Sequence, residues 1–350
     1  IYPPRPSLRL IGDMIQYTSK KVPQWYPISI SGYHMREAGS NAIQELAFTF
    51  ANAIEYIDTC RHRGLDIDSF APRLSFFFCC TMEFFEEIAK FRAARRIYSK
   101  LMKEKFGAKD PKSCHLRFHV QTSGESLTAQ QVDNNIVRVS LQALAAVLGG
   151  CQSLHTNSRD EALALPTEES VKVALRTQQI IANETGVTKT VDPLSGSHYL
   201  EYLTSEIEQG VEKYLKKIEK IGGALAAIEN GFFQEEIRRN AYQLKKEIDY
   251  GDRIIVGVNK FQDQNDVEPK LNTIDPEIEI RQVNKLKEFK KNRDQTRVNS
   301  ELSKLQTFTE KENENLMPHI ISAVKGHVTL GEISDIFVDI FGRYEPKFSF

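Results

Sequence analysis

The run Ile28-Ser29-Ile30-Ser31-Gly32-Tyr33-His34-Met35-Arg36-Glu37-Ala38-Gly39 decides how this chain is read. Its first four residues alternate apolar and polar, the period of a β-strand with one buried face. Gly32 and Gly39 then frame a loop carrying Tyr33 and His34, and glycine permits backbone angles that other residues resist. A helix is expected next, from about 41 to 63, closed by Gly64.

The same order repeats three times. A strand expected over 73–78 leads to a helix over 82–106. A strand over 116–121 and the loop Thr122-Ser123-Gly124 lead to a helix over 129–148, stopped by Gly149-Gly150. A strand over 151–155 and a polar loop lead to a helix over 168–185, closed by Gly186. Strands alternating with helices predict parallel βαβ units. An amphipathic helix over 7–22 precedes them, bracketed by Pro23 and Pro27. Residues 201–250 read as helical, 254–258 as a short apolar strand, 259–275 as a polar linker and 277–341 as a charged helical tail. The expected division is therefore barrel units over 1–200, with 201–350 adding the remaining barrel helices, a strand and the helical tail. The fold class expected is α/β, the C-terminal portion of a TIM (β/α)8 barrel with additional C-terminal helices.

Strand parity carries the functional signal. Ser29 and Ser31 oppose Ile28 and Ile30; Arg73 and Ser75 oppose Leu74 and Phe76. Arg117, His119 and Gln121 oppose Leu116, Phe118 and Val120; Ser153 and His155 oppose Leu154. A parallel sheet covered by helices should be apolar on both faces, and a closed barrel normally fills its interior with bulky branched side chains. If the apolar faces meet the helices, the polar faces line the barrel axis, which should then hold water or a long polar ligand. An antiparallel sheet with a wet face is the alternative, and the intervening helices argue against it. In a barrel, the loops at 32–39, 122–124 and 156–162 gather at the C-terminal face, where active sites sit.

Bulk properties narrow the classes. The 350 residues carry a formal net charge of -1, which argues against a nucleic-acid footprint or attraction to an anionic membrane. No apolar run is long enough to span a bilayer. Five cysteines without a Cys-x-x-Cys pair point to neither a zinc site nor a disulfide framework, and to a reduced, cytoplasmic setting. The opening Ile-Tyr-Pro-Pro reads as the interior of a longer chain.

The motif segments together resemble the catalytic domain of the methylmalonyl-CoA mutase family, the adenosylcobalamin-dependent acyl-CoA mutases. The resemblance lies in the opening run, in Pro72-Arg73-Leu74-Ser75-Phe76-Phe77, in His119-Val120-Gln121-Thr122-Ser123-Gly124 and in Gln152-Ser153-Leu154-His155-Thr156-Asn157. It continues in residues 160–167, in Asp192-Pro193-Leu194-Ser195-Gly196-Ser197 and in Glu314-Asn315-Leu316-Met317-Pro318. It covers almost the whole chain. It implies coenzyme A threaded along the barrel axis and adenosylcobalamin capping the C-terminal face, with radical migration of the thioester carbonyl group interconverting methylmalonyl-CoA and succinyl-CoA.

The roles implied follow motif by motif. His34 would hydrogen-bond the thioester carbonyl and Tyr33 would wedge near the adenosyl group. Arg73 and Ser75 would bind the coenzyme A arm, and His119 and Gln121 would approach the thioester. Glu37, Gly124, Glu161 and Ala164 match positions that contact the corrin. Without the family, His34 would read as a satisfied structural histidine and Tyr33 as core. Arg73 and Ser75 would read as part of an internal ion pair, His119 and Gln121 as a hydrogen-bond network, and Glu37 and Glu161 as N-terminal helix charges.

The departures also set expectations. Four strands are about half of a barrel, and the residues that select the acyl group would precede Ile1. Isobutyryl-, ethylmalonyl- or 2-hydroxyisobutyryl-CoA therefore remain as alternative substrates. Tyr26 stands where an Asn is common in the family. No His has Asp two residues before it, so the cobalt-ligating Asp-x-His-x-x-Gly signature is absent from these residues. The expectation is a split enzyme, this chain being the catalytic subunit beside a small cobalamin-binding subunit in a hetero-oligomer, and inactive alone. A non-catalytic remnant that binds coenzyme A or a partner is the competing class.

Overall fold

A computed structural model describes residues 2–263 and 271–345. Among these the fold is α/β, with a four-stranded parallel sheet in the order β1 (Ile28–Ser31), β2 (Leu74–Cys80), β3 (Phe118–Thr122) and β4 (Ser153–His155). Helices follow each strand, as expected, in a partial TIM-barrel-like arrangement. The chain forms two compact units. One comprises Ile28–Glu55 and Ile67–Thr273; the other comprises Ile1–Pro27, Tyr56–Asp66 and Ile274–Phe350.

In the first unit the alternation of side chains sorts the sheet into two unlike faces. Phe76, Phe78, Phe118 and Val120 are all buried. Phe76 meets Tyr98 edge-on at 5.1 Å, and Phe118 stacks on Phe91 at 5.3 Å, both partners on helix Phe84–Lys100. Such ring pairs add roughly 0.5–1.5 kcal/mol beyond their buried area. On the opposite face Ser29, Ser31, Ser75, Phe77, His119, Gln121, Ser153 and His155 remain half-buried or exposed. The polar face read from parity is thus the face the helices leave uncovered, except at Cys79, which is fully buried beneath Glu37.

A charged cluster lies within the buried layer. Lys90 Nζ donates to Glu45 Oε2 and to the Cys79 carbonyl, each at 2.7 Å, and pairs with Glu87. Glu45 Oε1 accepts the Cys79 backbone N–H at 2.8 Å. Glu87 accepts from Thr81 Oγ1 at 2.9 Å and from Arg36 Nη2 at 3.4 Å. Glu45, Glu87 and Lys90 are fully buried. Burial opposes the Lys90 charge, yet Glu45 and then Glu87 outweigh it and hold the ammonium above the ordinary lysine value. Burial likewise opposes the Glu87 charge, but Lys90 and Arg36 push its carboxyl down; in Glu45 burial prevails and pushes it up.

The second unit is helical. Val298, Leu305, Leu316, Ala323, Val328, Ile333 and Phe337 form its buried core. Asp13, on helix Pro4–Lys21, pairs with Arg63 at 2.5 Å and accepts the Leu316 N–H at 3.1 Å, while Asn315 Nδ2 donates to the Asp13 carbonyl at 2.9 Å. The Glu-Asn-Leu-Met-Pro motif is therefore a docking segment for that helix. Helix Leu330–Phe341 opens with a capping box between Thr329 and Glu332.

Several expected elements differ in detail. Residues 254–258 are not a strand. Gly257, at φ +84°, turns the chain back so that only an isolated bridge joins Val256 to Lys260. Asn259 takes up the Ile255 N–H on its Oδ1 and ties the segment back to the chain before it, its Nδ2 donating to the Ile248 and Arg253 carbonyls. Tyr33 and His34 lie in a short helix, Tyr33–Glu37, rather than an open loop. Arg73 closes a 3-10 turn, Ala71–Arg73, one residue before β2. The helix expected from 129 begins at Asn134, because Gln131 adopts φ +47°. Within the expected linker over 259–275, residues 264–270 lie outside the described residues. No helix among the described residues is long and apolar enough to cross a membrane.

The cluster makes a direct prediction. Lys90→Met leaves two buried carboxylates without their shared cation and should destabilise the protein by about 3–5 kcal/mol. Urea unfolding of the complete protein checks this, and a loss under about 1 kcal/mol would contradict the assigned pairing.

Candidate active site

The uncovered face is ordered in rows by strand register. Ser29 pairs with Ser75; Ser31 with Phe77, Phe77 with His119, and His119 with Ser153. Cys79 pairs with Gln121, and Gln121 with His155. Cross-strand partners stand close enough for their side chains to meet. His119 Nδ1 and Ser153 Oγ are 2.7 Å apart, and Gln121 Nε2 donates to Asn157 Oδ1 at 2.9 Å. Ser75 Oγ donates to the Ile28 carbonyl at 2.8 Å.

Tyr33 and His34 stand at the carboxyl end of β1. Gly32 makes the turn possible: a Cβ there would meet Thr49 Oγ1 at 2.4 Å and Glu45 Cγ at 2.8 Å. Tyr33 stacks on Phe77, with ring centroids 4.7 Å apart and planes 4° from parallel. His34 sits edge-on to Tyr33 at 5.6 Å and to Phe77 at 6.2 Å, and its Nδ1 lies 3.0 Å from Ser31 Oγ. Burial, and next the charge of Glu37, push the Tyr33 phenol up, so it stays protonated. Burial, and next His155, lower His119 below the ordinary histidine value, which favours the neutral imidazole.

Glu37 joins the β1 and β3 loops. Its carboxylate accepts from Ser123 Oγ at 2.7 Å, from the Gly124 and Glu125 N–H groups at 3.1 and 2.9 Å, and from Cys79 Sγ at 3.2 Å. Gly124 allows the approach, since a Cβ there would lie 3.1 Å from Glu37 Oε2 and 3.3 Å from Asn157 Nδ2. Glu161 Cγ is 3.6 Å from the same point. The Glu161 side chain is exposed, with burial raising its carboxyl and His155 opposing the rise. Ala164 is half-buried on the turn that follows, its N–H donating to the Asp160 carbonyl at 3.0 Å.

The structure thus brings together Tyr33, His34, His119 and Gln121 in one group and Glu37, Gly124 and Glu161 in another. The second lies at the carboxyl ends of the strands, while the first runs from the end of β1 back to His119, one residue into β3. Arg73 stands at the opposite, amino end of β2, and Ser75 lies between. Phe77 and Asn157 belong to the site without having been assigned a role from sequence. Extending the β2 parity two residues past Ser75 would have found Phe77. Nothing in local sequence announces that Asn157 bridges Gln121 and the Thr122 carbonyl, which its Nδ2 reaches at 3.0 Å.

The fold is thus of the partial TIM-barrel class, with an uncovered polar face and an aromatic-flanked histidine at the carboxyl end of β1. Comparison with known proteins gives the family. The family model described as Methylmalonyl-CoA mutase matches residues 1–343. The 2-hydroxyisobutanoyl-CoA mutase large subunit of Aquincola tertiaricarbonis is 47% identical over 98% of this chain, which spans 61% of that protein. The methylmalonyl-CoA mutase of Escherichia coli is 46% identical over 98% of the chain, and the human mitochondrial methylmalonyl-CoA mutase 44% over 99%; the chain spans 48% and 46% of their lengths. The chain belongs to the methylmalonyl-CoA mutase family.

Glu37→Gln is isosteric but turns an amide toward four donors. It should cost about 1–3 kcal/mol and speed hydrogen exchange at the Gly124 and Glu125 amides. Unchanged protection at those two amides would show that Glu37 does not hold the loop.

Proposed function

We propose that this chain is the thioester-handling part of the catalytic barrel of an acyl-CoA mutase that interconverts methylmalonyl-CoA and succinyl-CoA. It acts as the catalytic subunit beside a small cobalamin-binding subunit. The observation that carries this reading is the row Ser31–Phe77–His119–Ser153 with His34 at its edge. It is a polar strip on the uncovered face, ending in an imidazole with one nitrogen left for a ligand.

A coenzyme A arm would lie along Ser29 and Ser75, with Arg73 placed at the amino end to meet an anionic group. Its thioester would reach His34, His119 and Gln121. A donor at His34 stabilises charge on the carbonyl oxygen as the acyl group rearranges. The stacked Tyr33 and Phe77 rings wall the site and keep water from the reacting group.

The residues at the strand ends fit adenosylcobalamin by their chemistry. Exposed Glu161 offers a carboxylate to the amides that edge a corrin, while Gly124 and Ala164 present little side chain to a large flat ring. Glu37 acts there by holding the Gly124 loop. When bound, this cofactor supplies the radical chemistry on which the family depends.

A second reading within the family, 2-hydroxyisobutyryl-CoA as substrate, is favoured by the 47% identity to the Aquincola large subunit. That relative's description as a large subunit also supports a separate small subunit.

The test combines the complete protein with the small subunit and adenosylcobalamin and assays each acyl-CoA in turn. Interconversion of methylmalonyl-CoA and succinyl-CoA is expected. Turnover of 2-hydroxyisobutyryl-CoA alone would move the assignment to the second reading, and no turnover of any acyl-CoA would refute the enzyme. His34→Ala should lower kcat at least about 100-fold, the scale of one lost charge-stabilising donor, with little change in coenzyme A affinity. An unchanged rate would remove His34 from the mechanism.

A further inference from the structure

We infer that Ser31 is a positioning residue that sets the proton on His34, so that the ring presents Nε2–H to the thioester oxygen. The inference rests on the mutase reading above and assigns Ser31 a role within it.

Two independent contacts hold the imidazole. Ser31 Oγ lies 3.0 Å from Nδ1. The Tyr33 and Phe77 rings, stacked on each other, both meet the imidazole edge-on, at 5.6 and 6.2 Å. The backbone between Ser31 and His34 has little freedom, because Gly32 is packed against Thr49, Glu45 and Phe78 and its N–H donates to the Phe77 carbonyl at 2.8 Å. Ring position and ring rotation are therefore both determined, and Nε2 is the nitrogen left for a ligand.

A neutral imidazole carries one proton, on either nitrogen, and the partner of one nitrogen decides which. A hydroxyl that donates to Nδ1 makes it the acceptor and leaves the proton on Nε2. A hydroxyl that accepts from Nδ1–H leaves Nε2 bare, facing a carbonyl oxygen that is itself an acceptor. Only the first arrangement gives the thioester a donor. The serine proton is available for it: Ser31 Oγ has no partner among the described residues besides Nδ1. A similar contact recurs across the sheet, where Ser153 Oγ meets His119 Nδ1 at 2.7 Å. The serines of this row thus face the nitrogens of its histidines.

The test uses the complete enzyme with 15N-labelled histidine, the His34 signals being assigned by their loss in His34→Ala. In the unmodified protein Nε2 should show the protonated pattern and Nδ1 the bare one. In Ser31→Ala the two signals should move toward each other as the tautomers mix, and kcat should fall about fivefold to tenfold with KM nearly unchanged, the scale of one hydrogen bond. Ser31→Thr, which keeps a hydroxyl and suits a strand, should restore both. A protonated Nδ1 in the unmodified protein would overturn the inference. So would nitrogen signals and kcat that do not change in Ser31→Ala while His34→Ala remains impaired. If His34→Ala itself turns over normally, the reading of the site fails first, which separates the two failures.

Discussion

The site depends on one buried ammonium. Lys90 reaches from helix Phe84–Lys100 to the Cys79 carbonyl near the end of β2 and pairs there with Glu45 and Glu87. Glu45 returns to the Cys79 N–H, and Glu87 extends the cluster to Arg36 on the Tyr33–Glu37 turn. Buried charges need such mutual satisfaction, because an unpaired one costs several kcal/mol after relaxation. The arrangement ties the end of β2, two helices and the Tyr33–Glu37 turn into one body. Arg36 lies two residues from His34, so the charge cluster also anchors the imidazole's backbone.

On this foundation the two faces of the sheet do different work. The aromatic face supplies cohesion: Phe76, Phe78 and Phe118 pack against Phe50, Phe91 and Tyr98. The polar face gives up that burial energy: Ser31 and Ser153 meet histidine nitrogens, Ser75 bonds the Ile28 carbonyl and Gln121 bonds Asn157. The result is a stable body carrying an under-packed polar strip, the arrangement that the proposed function requires. The Glu37 carboxylate completes the frame, joining the β1 loop to the β3 loop with three accepted hydrogen bonds and to β2 with a fourth, from Cys79 Sγ.

Much of this was legible in the amino-acid sequence, for physical reasons. Period-two alternation in Ile28–Ser31 and in the β3 run exposes a two-faced strand whatever surrounds it, so the polar face followed from parity. Glycines marked the turns at 32 and 149–150 for the same local reason. The ion cluster was not legible, since Glu45, Glu87 and Lys90 look like ordinary helix charges until the helices are packed. The 254–258 segment misled because its apolar residues have strand character, whereas Asn259 and Gly257 decide its shape through contacts that no periodicity records. Phe77 was passed over although it lies inside the expected strand, because an apolar side chain at a polar-face position does not stand out in a reading that looks for polar residues. The roles of the site residues came from resemblance, and the geometry adds partners to each: Ser31 for His34, Ser153 for His119, Asn157 for Gln121.

The central claim is that the polar strip receives a coenzyme A thioester whose carbonyl meets His34. A crystal structure of the complete protein with a non-hydrolysable acyl-CoA analogue tests it most directly. The account predicts the pantetheine arm along Ser29 and Ser75, with the carbonyl oxygen within hydrogen-bond distance of His34 Nε2. An analogue bound elsewhere, or a strip closed over by the protein's own side chains, would contradict it.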